Sequence, residues 1–152
     1  MAPSDLDQKT KRGAGERRRL EVEAWRLMNE LVWSQRPQVM ALCREFELFP
    51  PQLMVLRALD EPRPMREVAA HLACDSSNLT GITDRLEERG LVRRTADAND
   101  RRVKLLVLTD AGQRMRKEIV ARMGVPPESI GALSDRDLEA IGRALGKALP
   151  AG

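Results

Sequence analysis

The helical rhythm of this chain breaks off at Gly90, and that break constrains the fold more than any other feature. Upstream of it, apolar residues recur three or four positions apart, the spacing of one face of a helix. Downstream, Leu91-Val92-Arg93-Arg94-Thr95 and residues 103–108 are short β-type runs around a polar tip, residues 96–102. An isolated two-stranded hairpin is marginal in water, so these strands need the preceding helices as a platform. The nearest helix is expected over residues 76–89, with Asp75 or Ser76 as N-cap and Gly90 as the residue past its end.

The sequence before it divides into short helical pieces. Pro51 suits a first helical turn, and Leu53, Leu56 and Leu59 follow at helical spacing. Residues 60–64 (DEPRP) read as a loop, and Val68, Ala69 and Leu72 mark a second helix. A tight Ala73-Cys74 connection leads into the third. Two short helices joined by a tight turn and followed by a hairpin make a winged helix-turn-helix. The fold class expected is therefore mainly α with one small β-hairpin, the winged helix covering residues 50–109.

On the third helix, Leu79, Ile82 and Leu86 share one face and belong to the core. Ser76, Ser77, Asn78, Thr80 and Gly81 make the N-terminal part of the opposite face small and polar. That surface suits close approach to base edges and phosphates. Asp84 and Glu88 also face outward and fit a polyanion badly, so they are expected to pair with arginines of the hairpin. Basic residues cluster nearby: Arg85 on the helix, Arg93 and Arg94 on the first strand, Arg101 and Arg102 at the tip beside Asp100.

Longer helices flank this module. Leu20, Ala24, Leu27 and Leu31 form a helical stripe that Trp25, Met28 and Val32 widen, with a break or kink at Pro37, over residues 16–48. Residues 110–149 hold a helix opened by Thr109 or Asp110, a stop at Pro126-Pro127, and a last helix capped by Ser134. Both flanks carry more apolar surface than one small module can cover. Residues 1–13 lack periodicity and read as a disordered tail, leaving residues 14–152 as a single domain.

Composition excludes other classes. Hydrophobic residues are 42% and aromatics 3%, with no Tyr, which points to an aliphatic helical core. Lys and Arg exceed Asp and Glu by 26 to 23, a mild excess that by itself proves no nucleic-acid partner. No apolar run is long enough to span a bilayer, and the N-terminus has no secretory h-region. Two Cys suggest free thiols in a cytoplasmic protein. A single His, no nucleophile beside a base and no phosphate-cradling glycine loop argue against an enzyme.

Residues 48–116 resemble the multiple-antibiotic-resistance regulator (MarR) family of bacterial transcription regulators. The resemblance rests on Asp75-Ser-Ser-Asn-Leu-Thr-Gly-Ile-Thr-Asp-Arg-Leu-Glu-Glu-Arg-Gly-Leu-Val-Arg-Arg94, on Asp100-Arg-Arg102, and on Val107-Leu-Thr-Asp-Ala-Gly112. It implies a homodimer held by the first and last helices, bound to a pseudo-palindromic double-stranded DNA operator. Such proteins usually repress and are often released by a small ligand or an oxidant. In the family pattern the tip arginine, here Arg102, enters the minor groove and the aspartate, here Asp100, orients it.

The remaining candidates are weaker. Trp25, Met28 and Trp33 are read either as dimer packing or as the wall of a pocket for a small hydrophobic effector. Cys43 and Cys74 fall on apolar positions, and the family's oxidant sensors carry their reactive Cys near the start of the first helix, where this chain has none. Cys43, His71 and Cys74 lack the paired spacing of a metal site, so neither metal nor cofactor is expected. The competing reading of the whole chain is a helical protein–protein adaptor whose winged helix no longer binds DNA.

Overall fold

The computed structural model describes residues 3–149, with side chains from residue 15 onward. Its contacts divide into two units, residues 1–41 and 42–152, where a single domain is expected from sequence. The first unit is helical. Helix α1 runs Pro3–Ser34, upstream of the Glu16 start that periodicity gives. The tail expected over residues 1–13 overlaps this helix from Pro3; residues 1 and 2 lie outside the described residues. Pro3 suits a first turn, and Leu6, Gln8, Lys9, Lys11, Arg12 and Ala14 favour a helix although the segment has no strong apolar stripe. Helix α2, Arg36–Glu45, begins at once after Gln35. Pro37 explains the break, because it has no N–H to give the Trp33 carbonyl four residues back and its ring crowds that oxygen.

The second unit holds the winged helix and the C-terminal helices. Helices α3 (Pro50–Ala58), α4 (Met65–His71) and α5 (Ser76–Glu88) carry its core. Leu53, Leu56, Leu79 and Leu86 are all fully buried. Strands β2 (Val92–Ala96) and β3 (Lys104–Leu108) pair antiparallel, Val92 opposite Leu108 and Ala96 opposite Lys104. A two-residue strand β1, Arg63–Pro64, adds to the other edge of β3, giving the order β1-β3-β2. The DEPRP segment, expected as loop throughout, thus ends in an edge strand. Two residues are too few to show alternation, and Pro is tolerated on an edge.

Three turns of this unit end helices in the same way. After α5, the Leu91 N–H bonds the Leu86 carbonyl and the Gly90 N–H bonds that of Glu87, with Gly90 at φ 65°. The same pattern closes α4 through Ala73 (φ 49°) and α2 through Glu47 (φ 54°). This left-handed geometry is free of strain for glycine but not for the other two. Arg89 ties two of these ends together, donating to the Glu47 carbonyl at 2.6 Å and to that of Phe46 at 2.9 Å.

The base of the hairpin locks onto helix α6, Asp110–Met123. Thr109 Oγ1 accepts from the Gly112 N–H at 3.1 Å and donates to the Gly90 carbonyl at 2.6 Å. A Cβ placed on Gly112 would meet the Leu91 oxygen at 1.9 Å, so only glycine fits there. A short helix α7, Glu128–Gly131, not anticipated from sequence, precedes α8, Asp135–Ala148. The Ser134 side chain caps α8 by accepting from the Asp137 N–H, as its sequence indicates.

Candidate nucleic-acid interface

Helix α5 presents the face expected of it. Ser76, Ser77, Asn78, Thr80 and Gly81 are exposed, while Leu79 and Leu86 point into the core. Ile82 is only half-buried, and the remaining inward residue is Thr83, fully buried. A hydrophobic pattern passes over Thr83 because of its hydroxyl, which donates to the Thr80 carbonyl at 2.9 Å.

The wing tip is organised by two carboxylates. Asp97 accepts from the backbone N–H groups of Asn99 (2.7 Å) and Asp100 (3.0 Å). Asp100 accepts from the backbone N–H of Arg102 at 3.0 Å. The aspartate therefore sets the chain direction at Arg102, and the guanidinium itself is left unpaired among the described residues. Arg85, Arg93 and Arg101 are likewise without an ion pair among the described residues, and Arg93 and Arg101 are exposed.

Arg94, also expected on the DNA face, is turned back onto α5. Its guanidinium donates to the Thr80 carbonyl at 3.2 Å and to the Thr83 hydroxyl, and it pairs with Asp84 at 2.8 Å and with Glu87. The Glu87 carboxylate also accepts from the Arg94 backbone N–H at 2.8 Å. Alternation along β2 explains this: Arg93 points to solvent, so its neighbour must point back at α5. Asp84 pairs with a wing arginine as expected; Glu88 does not, and Glu87 takes its place. Arg94 thus fastens β2 to α5 and neutralises two carboxylates beside the polar face.

Two clefts flank α5. One, about 440 Å³, lies toward α3 and has Phe49, Pro50, Pro51 and Ile82 in its wall, with Arg85 as its single cation. The other, about 410 Å³, lies toward the wing and is lined by Arg66, Arg102 and Lys104 with Ser76 and Thr80. Arg66 gives no signal in the sequence because it stands alone on α4; its basic neighbours arrive from the wing.

A model of the MarR family matches residues 48–104, the span from the end of α2 through the wing to the first residue of β3. The solved structure of CouR from Rhodococcus jostii RHA1, bound to p-coumaroyl-CoA, is 30% identical, with a TM-score of 0.65 over 83% of this chain and 92% of that one. The chain belongs to the MarR family. Among curated members, the transcriptional regulator TtmR of Methylorubrum extorquens strain PA1 is 33% identical over 65% of this chain. The match spans half of TtmR's own length. The transcriptional repressor MdtR of Bacillus subtilis strain 168 is 29% identical over 68% of each chain. These relatives are transcription regulators by name, in keeping with the geometry of α5 and the wing.

The other candidates fall elsewhere. Trp25, Met28 and Trp33 are exposed on α1, and at about 100° per residue Met28 and Trp33 stand roughly 140° apart. The three do not share one face; Trp33 instead carries the Arg36 guanidinium 5.7 Å above its ring. Cys43 is buried, and burial pushes its thiol up from the ordinary range. Cys74 is half-buried and His71 exposed, and no group of three His, Cys, Asp or Glu side chains gathers among the described residues. No described helix is long and apolar enough to cross a membrane.

Proposed function

We propose that this MarR-family protein is a repressor that binds a pseudo-palindromic operator as a homodimer and is released by a small ligand. The observation that carries the reading is one continuous surface: the small polar start of α5 beside a wing whose Arg93, Arg101 and Arg102 side chains have no partner among the described residues. Small side chains let the helix approach base edges in the major groove, while an arginine at a hairpin tip matches the narrower, more negative minor groove. An adaptor surface has no need of unpaired tip arginines.

The homodimer is supported by apolar faces that each unit leaves open. On α8, Leu138, Ile141 and Leu145 recur at helical spacing and stay exposed; on α1, Leu20, Leu27 and Leu31 do so. A second copy would cover them, and an obligate interface of this kind buries upwards of about 2,000 Å². Two-fold symmetry then sets half-site centres about 10 bp apart, or a multiple of that. The ligand-bound CouR structure supports release by a small molecule. For this chain we place a hydrophobic effector against Trp25 and Met28, which lie within about 60° of each other on α1.

Titration of duplex DNA from the protein's own upstream region against random duplex, at fixed salt, tests this. Arg102→Ala is expected to weaken operator binding by about 1–3 kcal/mol. Asp100→Ala acts in the same direction but less, because it frees the backbone that aims Arg102. Simple charge removal gives the opposite sign, so tighter binding by Asp100→Ala would discard the wing mechanism.

A further inference from the structure

We propose that the cleft between α4, the start of α5 and β3 is the seat of one phosphate of the operator backbone, and that Arg66 is a DNA-contacting residue. The proposal deepens the reading above and rests on it. The cleft gathers Arg66, Arg102 and Lys104 around Ser76, Leu79 and Thr80, and no carboxylate lines it. None of these three side-chain cations has a hydrogen-bonding or ion-pairing partner among the described residues. That sets them apart from Arg63, Arg89 and Arg94, whose guanidiniums are all engaged by the fold.

Arg66 is hard to explain by stability. It stands second in α4, in the turn where the helix dipole disfavours positive charge. It lines the cleft together with Arg102 and Lys104, a local excess of positive charge that suits an anion. The anion's identity comes from the elements on either side of the cleft. If α5 enters the major groove and the tip of the wing enters the minor groove, the strand dividing the two grooves must pass between them. The cleft occupies that position. The opposite flank of α5, with its phenylalanine, two prolines and one arginine, offers no comparable seat.

The test uses the full chain and the salt dependence of its affinity for operator duplex. Each neutralised phosphate contributes about 0.9 to the slope of log affinity against log salt. Arg66→Gln removes one of the three cations around this phosphate in both subunits, so the slope is expected to become shallower by up to about 1.8, with the operator-to-random affinity ratio unchanged, since phosphate contacts carry no sequence information. Arg66→Lys should restore most of the slope. An unchanged slope in Arg66→Gln, while the unmodified protein still binds steeply, overturns the inference and leaves the function standing. No salt-dependent binding by the unmodified protein overturns both. Inorganic phosphate gives the last arm. If it shifts the melting temperature of the unmodified protein but not of Arg66→Gln, and the DNA slope is unchanged, the cleft serves a free anion and the backbone assignment is wrong.

Discussion

In the winged helix Leu53, Leu56, Leu79, Leu86 and Leu106 are completely withdrawn from water, whereas on α8 Leu138, Ile141 and Leu145 each keep more than a third of their surface exposed. The residues are of one kind. What differs is the supply of partners. The winged helix folds three helices and a sheet around a common centre. A 14-residue helix on its own is marginal in water and depends on burial of its stripe. The winged helix buries its leucines among its own elements, while α8 leaves its stripe open, as the proposed dimer requires.

The largest effect comes from attacking the open side. Ile141→Asp with Leu145→Asp should cost dimerisation at least about 4 kcal/mol, since each substitution occurs twice in a two-fold interface. Sedimentation should then show monomer at micromolar concentration, and a dimer surviving the double change would remove α8 from the interface. The closed side breaks at Gly112. Gly112→Ala drives a methyl into the Leu91 carbonyl, and we expect a loss of about 3 kcal/mol in urea unfolding, the upper end of overpacking. Its mirror on the open side, Gly142→Ala, has no atom within 4 Å of the new Cβ and should be neutral or slightly stabilising.

Within the closed module, Arg94→Ala should weaken operator binding by about 1–3 kcal/mol, the scale of a hydrogen-bonded charge pair. The salt slope should stay the same, because Arg94 touches carboxylates and not phosphate; a shallower slope would return it to the DNA surface. A small effect in the same module is a gain. Ala73→Gly relieves a left-handed alanine in the helix-turn-helix corner and should raise stability by about 0.5–1 kcal/mol, less the entropy glycine adds to the unfolded chain. Thermal unfolding reads the sign.

Much of this is legible in the chain itself. Gly90, Thr109 and Ser134 announce helix ends through chemistry that acts over three or four residues, and the hairpin strands fall within a residue of their alternating runs. The exposed start of α5 comes from helical spacing alone. The hidden features need contacts distant in sequence. Arg94 looks like Arg93 until β2 is laid against α5. Gly112 looks like any helical glycine until the Leu91 carbonyl arrives beside it. Arg66 becomes interesting only when the wing brings two more cations to it. Thr83 and the two-residue β1 are too small a signal for any pattern to register.

The clamp made by Arg94 has a mechanical consequence. By tying β2 to α5 through four partners on the helix, it joins the proposed major-groove and minor-groove probes in one reading head. A signal that releases such a head from DNA has no hinge to work on inside it. In the proposed ligand-released dimer, the variable left to the ligand is the distance and tilt between the two heads, measured against the fixed pitch of the double helix.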